Sequence, residues 1–198
     1  MRRILPESPG NRKRRMKPKR DYSKFYETIT AGLRKRENAS QLLTAADRIL
    51  AAVMYAAYPV LLVVTAMQKT VLPYLLVPGI SFLLLSFVRS RMNRKRPYEE
   101  WEIDPLIHRE GMGNSMPSRH VFSAVLISMC ILRQNVFLGV IFLLLSAGIA
   151  AVRVLGGVHY PRDVIAGYLI GAAAGSLLWV GGFVNPAQNS WTWFFIVK

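Results

Sequence analysis

The chain has 198 residues, enough for one domain, and combines 52% hydrophobic side chains with a formal net charge of +15. The charge is segregated. Positions 1–46 hold 13 of the 26 Lys and Arg residues, whereas after position 110 the only carboxylate side chain is Asp163. This pattern excludes an ordinary soluble enzyme and a disordered polyelectrolyte, and points to an integral membrane protein with a basic tail.

Positions 1–21 are too charged and Pro-rich to bury a core, so a disordered basic tail is expected; no apolar run follows its arginines, as a signal peptide would require. In 22–46, Tyr22, Phe25, Tyr26, Ile29 and Leu33 recur at helical spacing opposite Lys24, Glu27 and Arg34, predicting an amphipathic interfacial helix. Two roles fit it: lying on the membrane surface, or packing against its own protein. Uncharged runs follow at 49–67 and 71–88, each near the ~20 residues that cross ~30 Å of hydrocarbon, and together they read as a helical hairpin.

After a polar stretch at 89–120, the run 121–132 is short for a span and reaches bilayer length only if 115–120 extends its helix. Runs at 136–152 and 164–183 complete five spans. The last carries Gly167, Gly171 and Gly175 at four-residue intervals, a stripe that suits close helix packing. Positions 185–198, with Trp191, Trp193 and Phe194, read as an interfacial tail. Cys130 has no partner cysteine, and packing is its expected role. The predicted fold is all-α: an integral membrane bundle of about five transmembrane helices over 47–184, preceded by the amphipathic helix.

On this map 89–120 and 153–163 share one membrane face, where ionisable groups suggest a functional site. Arg89 and Arg96 are seven residues apart, two helical turns, so both project from one side of an extended second span. A basic cluster flanking a span has the same appearance. In Ser115–His120 (SMPSRH), Ser115 suits an N-cap and Pro117 a first turn. Free backbone N–H groups there attract anions, and Ser118, Arg119 and His120 add donors; an ordinary capped helix is the alternative. In the third cluster, Pro161 suits the first position of the last span and puts Asp163 in its first turn, a site the helix dipole alone favours for a carboxylate. Asp163 is also placed to hydrogen-bond His159, fixing the imidazole tautomer and leaving the other ring nitrogen as a nucleophile.

Together the three clusters resemble the motifs of the type 2 phosphatidic acid phosphatase family, which shares its site with vanadium haloperoxidases. The family patterns KxxxxxxRP, PSGH and SRxxxxxHxxxD stand here as RSRMNRKRP, PSRH and VRVLGGVHYPRD, with spacing kept. Arg89 replaces the family lysine, Arg119 the glycine and Val152 the serine. The resemblance implies a metal-independent lipid phosphatase without cofactor. His159 is its nucleophile, Asp163 its orienting carboxylate and His120 its general acid and base. Arg89, Arg96, Ser118, Arg119 and Arg153 are implied to bind phosphate, and His108 matches no motif and is left as a loop residue near the head group.

Expected partners are a lipid phosphate substrate and anionic membrane lipids, without nucleic acid. A pseudoenzyme scaffold that binds anionic lipid is the alternative function, and a transporter or channel subunit a further one. The basic residues before the first span predict a cytoplasmic N-terminus in a multi-pass cell-membrane protein, and the two spans that precede the site return it to the cytoplasmic face.

Overall fold

The computed structural model describes residues 22–109 and 111–180, so the expected tails at 1–21 and 185–198 lie outside the described residues. All regular structure within them is helical: α1 (Tyr22–Arg34), α2 (Ala39–Met67), α3 (Val71–Met92), α4 (Pro97–Glu100), α5 (Arg119–Gln134), α6 (Val136–Leu155) and α7 (Pro161–Val180). Helices α2, α3, α6 and α7 are long and apolar enough to cross a membrane, which makes the chain a multi-pass membrane protein.

The five predicted apolar segments are all helices, but the third begins at Arg119 and is only 16 residues long. Ser115 and Pro117 do not extend it. Its N-cap is Ser118, in extended backbone geometry. The short length reflects position: α5 packs on α2, α3, α6 and α7 and buries residues around its whole circumference, including Val121, Phe122, Val125, Leu126 and Cys130. The free thiol of Cys130 is therefore a packing group, as expected.

The glycine stripe explains how α7 approaches this central helix. A Cβ on Gly167 would lie 2.6 Å from the Ser118 carbonyl oxygen, on Gly171 2.8 Å from that of Phe122, and on Gly175 2.3 Å from Met129 Cβ. Side chains there would push the helices apart, so glycine permits the contact. Buried hydrogen bonds join other neighbours: Ser128 with Ser146 at 3.0 Å, and Gln134 Nε2 donating to the Tyr74 hydroxyl at 2.8 Å. Each contributes about 0.6 kcal/mol by the average for membrane helices, so packing dominates.

The segment 22–46 divides differently from the expected single helix. Helix α1 ends at Arg34, and 39–46 already forms the first turns of α2. Of the two roles open to it, α1 shows packing on its own protein: Tyr26 is buried, donates to the Leu155 carbonyl at 3.0 Å and accepts from the Leu106 amide at 3.1 Å. Its ring supplies apolar area while its hydroxyl satisfies one backbone group at the end of α6 and one in the loop before α5. The start of α2, the end of α3, the starts of α5 and α7 and the end of α6 thus meet at one end of the bundle, beneath α1, α4 and the 101–118 connection.

Candidate active site

The two arginines of the first cluster are brought together by a loop rather than a shared helix face. Asn93 takes a left-handed conformation (φ 35°) that ends α3, and Arg96 becomes the extended N-cap of α4. Both then grip the loop preceding α5. The Arg89 guanidinium donates to the Asn114 carbonyl, and Arg96 Nε to that of Gly113 at 3.0 Å. The Gly113 amide donates in turn to Glu99 at 2.7 Å. Arg89 is buried, and Arg119, Arg96 and Asp163 all act on it electrostatically.

At the start of α5, the Ser118 amide donates to the Asp163 carbonyl at 2.9 Å, which locks α5 to α7. The Ser118 hydroxyl makes no capping bond, and its buried oxygen has no hydrogen-bond partner among the described residues. It is a polar atom that a phosphate oxygen would satisfy. His120 follows, half-buried, and interacts electrostatically with His159, Arg153, Arg109 and Arg119. Arg119 is exposed and lies 5.7 Å above the Phe82 ring, beside His120 in a cavity of about 250 Å3 that Tyr55, Phe82 and Ser123 also line.

Arg153, near the end of α6, is only 1% exposed. A charge so buried needs a partner, and Asp47 of α2 provides it: Oδ1 lies 2.9 Å from Arg153 Nε, while Oδ2 lies 3.3 Å from an Arg109 nitrogen. His159, in the turn between α6 and α7, is 2% exposed, and Asp163 in the first turn of α7 is fully buried. Gly157 takes φ 74° two residues before His159, and a Cβ there would lie 2.9 Å from the Tyr26 hydroxyl, so this turn requires glycine.

The expected hydrogen bond between Asp163 and His159 is replaced by a less direct arrangement. His159 Nδ1 and Asp163 Oδ2 are 3.8 Å apart, too far for a direct hydrogen bond. The buried Ser115 hydroxyl lies between them, 2.5 Å from Asp163 Oδ2 and 3.4 Å from His159 Nδ1. Asp163 also accepts from the Tyr160 amide at 3.3 Å. Burial lowers the pKa of His159 from its ordinary value, and Asp163 only partly offsets this, so the ring is neutral at neutral pH.

An aromatic cover closes the outer side. The Tyr160 hydroxyl donates to Glu100 at 2.8 Å and accepts from the Trp101 indole at 3.1 Å, and the Tyr22 ring packs edge-on against Tyr160 at 4.7 Å. Burial and the Glu100 carboxylate raise the Tyr160 pKa, which keeps the phenol protonated.

The structure thus gathers Arg89, Arg96, Ser118, His120, Arg153, His159 and Asp163 at one end of the bundle, with Arg119 at the cavity. His108 is exposed in the connecting loop. Sequence reasoning missed Asp47 and Ser115. Asp47 carried a signal, a lone carboxylate just before an apolar run, whereas Ser115 looked like a helix cap. A cluster of guanidinium groups around a neutral imidazole, with an orphaned hydroxyl, suits an anion with several oxygens.

Residues 70–186 match the family model described as PAP2 superfamily. No match was found among curated proteins. Among solved structures, the chain resembles LpxE of Aquifex aeolicus at 21% identity and a TM-score of 0.64, covering 79% of this chain and 93% of that chain. It also resembles the first transmembrane PAP2 type phosphatidylglycerolphosphate phosphatase from Bacillus subtilis at 21% identity and a TM-score of 0.59, covering 80% of this chain and 85% of that one.

Proposed function

Because this chain belongs to the PAP2 superfamily, we propose that it is a metal-independent phosphatase that removes phosphate from a membrane lipid through a phosphohistidine. The observation that carries the reading is the setting of His159: buried among arginines, with Nδ1 turned toward Ser115 and Asp163. A proton held at Nδ1 leaves the Nε2 lone pair to attack phosphorus.

As the Nε2–P bond forms, the P–O bond to the lipid breaks, and the departing oxygen takes the proton of His120. The ring of His159 becomes cationic, and the Asp163 carboxylate stabilises it. In the second step water attacks phosphorus, its proton passes to His120, the Nε2–P bond breaks and phosphate leaves. Arg89, Arg96, Arg119 and Arg153, with the Ser118 hydroxyl, hold the phosphoryl oxygens and stabilise the charge that develops in each transition state.

The cavity beside His120 supports a lipid as the alcohol. Tyr55, Phe82 and Ser123 line both it and an apolar cavity of about 270 Å3 bounded by Tyr58, Pro78 and Leu126, between α2, α3 and α5. An acyl or prenyl chain fits this path while its phosphate meets the arginines. Candidate substrates are polyprenyl diphosphates or monophosphates, phosphatidic acid and phosphatidylglycerol phosphate. The basic residues ahead of α2 favour a cytoplasmic N-terminus. The contact of Asp47, near the start of α2, with Arg153 supports a site on that same face.

The test is phosphate release from a panel of these lipids by purified protein in nanodiscs. Turnover is expected to persist in excess EDTA, to vanish in His159→Ala and nearly to vanish in His120→Ala, with both variants still membrane-inserted. An active His159→Ala protein would remove the mechanism, and lipid binding without phosphate release would favour the scaffold reading.

A further inference from the structure

Ser115 belongs to none of the three motif patterns, yet it touches the first and the third and lies two residues ahead of the second. Its backbone amide donates to the Arg94 carbonyl at 2.9 Å, which pins it to the loop between Arg89 and Arg96. It lies two residues before Pro117 and is fully buried. Its Oγ is 2.5 Å from Asp163 Oδ2 and 3.4 Å from His159 Nδ1, whereas those two atoms stand 3.8 Å apart. A hydroxyl has one proton to donate and lone pairs to accept with. Beside a carboxylate, which only accepts, the Ser115 proton points to Asp163, and the Ser115 lone pairs then face the ring nitrogen.

We propose that Ser115 is the positioning residue through which Asp163 acts on His159, a relay of two hydrogen bonds running from His159 Nδ1–H to Ser115 Oγ and from Ser115 O–H to Asp163 Oδ2. The inference rests on the phosphatase reading above. The relay fixes the proton on Nδ1 and keeps Nε2 free. When Nε2 bonds to phosphorus, the Nδ1 proton stays in place, and its stronger attraction to Ser115 passes the carboxylate's charge to the new cation. No proton leaves the relay, so the step balances with His120 alone as acid and base.

The test combines kinetics of Ser115→Ala and Ser115→Thr with 15N NMR of His159 in the wild-type protein. Partners that orient a metal-bound imidazole are worth about 10–100-fold, and by that analogy Ser115→Ala is expected to lower kcat by a similar factor with KM little changed. Its acid limb moves to lower pH, because the cation loses its support. Ser115→Thr keeps the hydroxyl and is expected to retain rate and pH profile. Asp163→Asn should cost much less in the Ser115→Ala background than in the wild type, since its route to His159 is already cut.

Equal Asp163→Asn costs in both backgrounds, with an unmoved pH profile in Ser115→Ala, would overturn the relay and leave Ser115 as a structural tie. If Ser115→Ala fails to fold, wild-type NMR decides: a proton on Nε2 rather than Nδ1 refutes the proposal. Wild-type protein that releases no phosphate refutes the phosphatase reading instead, so the two failures are distinguishable.

Discussion

Replacing Asp47 by asparagine removes one negative charge at nearly constant volume and leaves the Arg153 guanidinium, 1% exposed, without its counter-ion. Two unit charges about 4 Å apart attract by about 4 kcal/mol at an effective dielectric constant of 20, and breaking a buried pair by removing one partner costs about 3–5 kcal/mol. The half-exposed Arg109 contact at 3.3 Å adds little to this, because water screens it. For a chain of this size, 3–5 kcal/mol lowers the melting temperature by roughly 6–20 °C. Thermal unfolding in nanodiscs, with and without inorganic phosphate, reads the effect. The variant is expected to gain more from phosphate than the wild type does, because the bound anion replaces the missing charge beside Arg153. A melting temperature unchanged by the substitution, and an equal response to phosphate, would refute the argument that Asp47 neutralises Arg153.

Other expectations follow from the same contacts. The acid limb of kcat/KM set by His159 should fall below its ordinary pKa of about 6.5, because burial holds the nucleophile neutral; a limb at or above that value contradicts this. The same depression makes the unfolded chain bind the extra proton first. Stability from this group is therefore full above about pH 6.5 and declines as pH falls toward the folded pKa, which denaturant titrations against pH can follow. Gly171→Leu would drive a Cβ to 2.8 Å from the Phe122 carbonyl oxygen, an overpacking that costs about 1–3 kcal/mol and lowers phosphate release by moving α5 against α7. Gly32→Ala in α1, where a Cβ meets nothing within 4 Å, should be neutral or stabilise by up to about 1 kcal/mol.

The arginines, histidines and Asp163 were legible in the sequence because their spacing is local and their chemistry unusual beside apolar runs. The glycine stripe was equally legible, since one helical period places Gly167, Gly171 and Gly175 on a single face. Asp47 is not, because the uncharged run begins at position 49, whereas α2 starts at Ala39 and carries the carboxylate into the bundle. Ser115 was hidden by a local rule: a serine shortly before a proline at a helix start looks like a cap, and only tertiary contact with α7 gives it another use. The seven-residue spacing of Arg89 and Arg96 implies one helix face, but the left-handed Asn93 ends α3 first and the loop carbonyls then reunite them. Local periodicity does not report such reversals.

The touching backbones of α5 and α7 have a mechanical implication. With no side chains at Gly167 and Gly171 to act as spacers, Ser118 and Asp163 ride on two rods clamped at van der Waals distance, so their separation is set by the helix packing below them. A substitution that parts the two helices deeper in the bundle is therefore expected to part Ser118 from Asp163 as well.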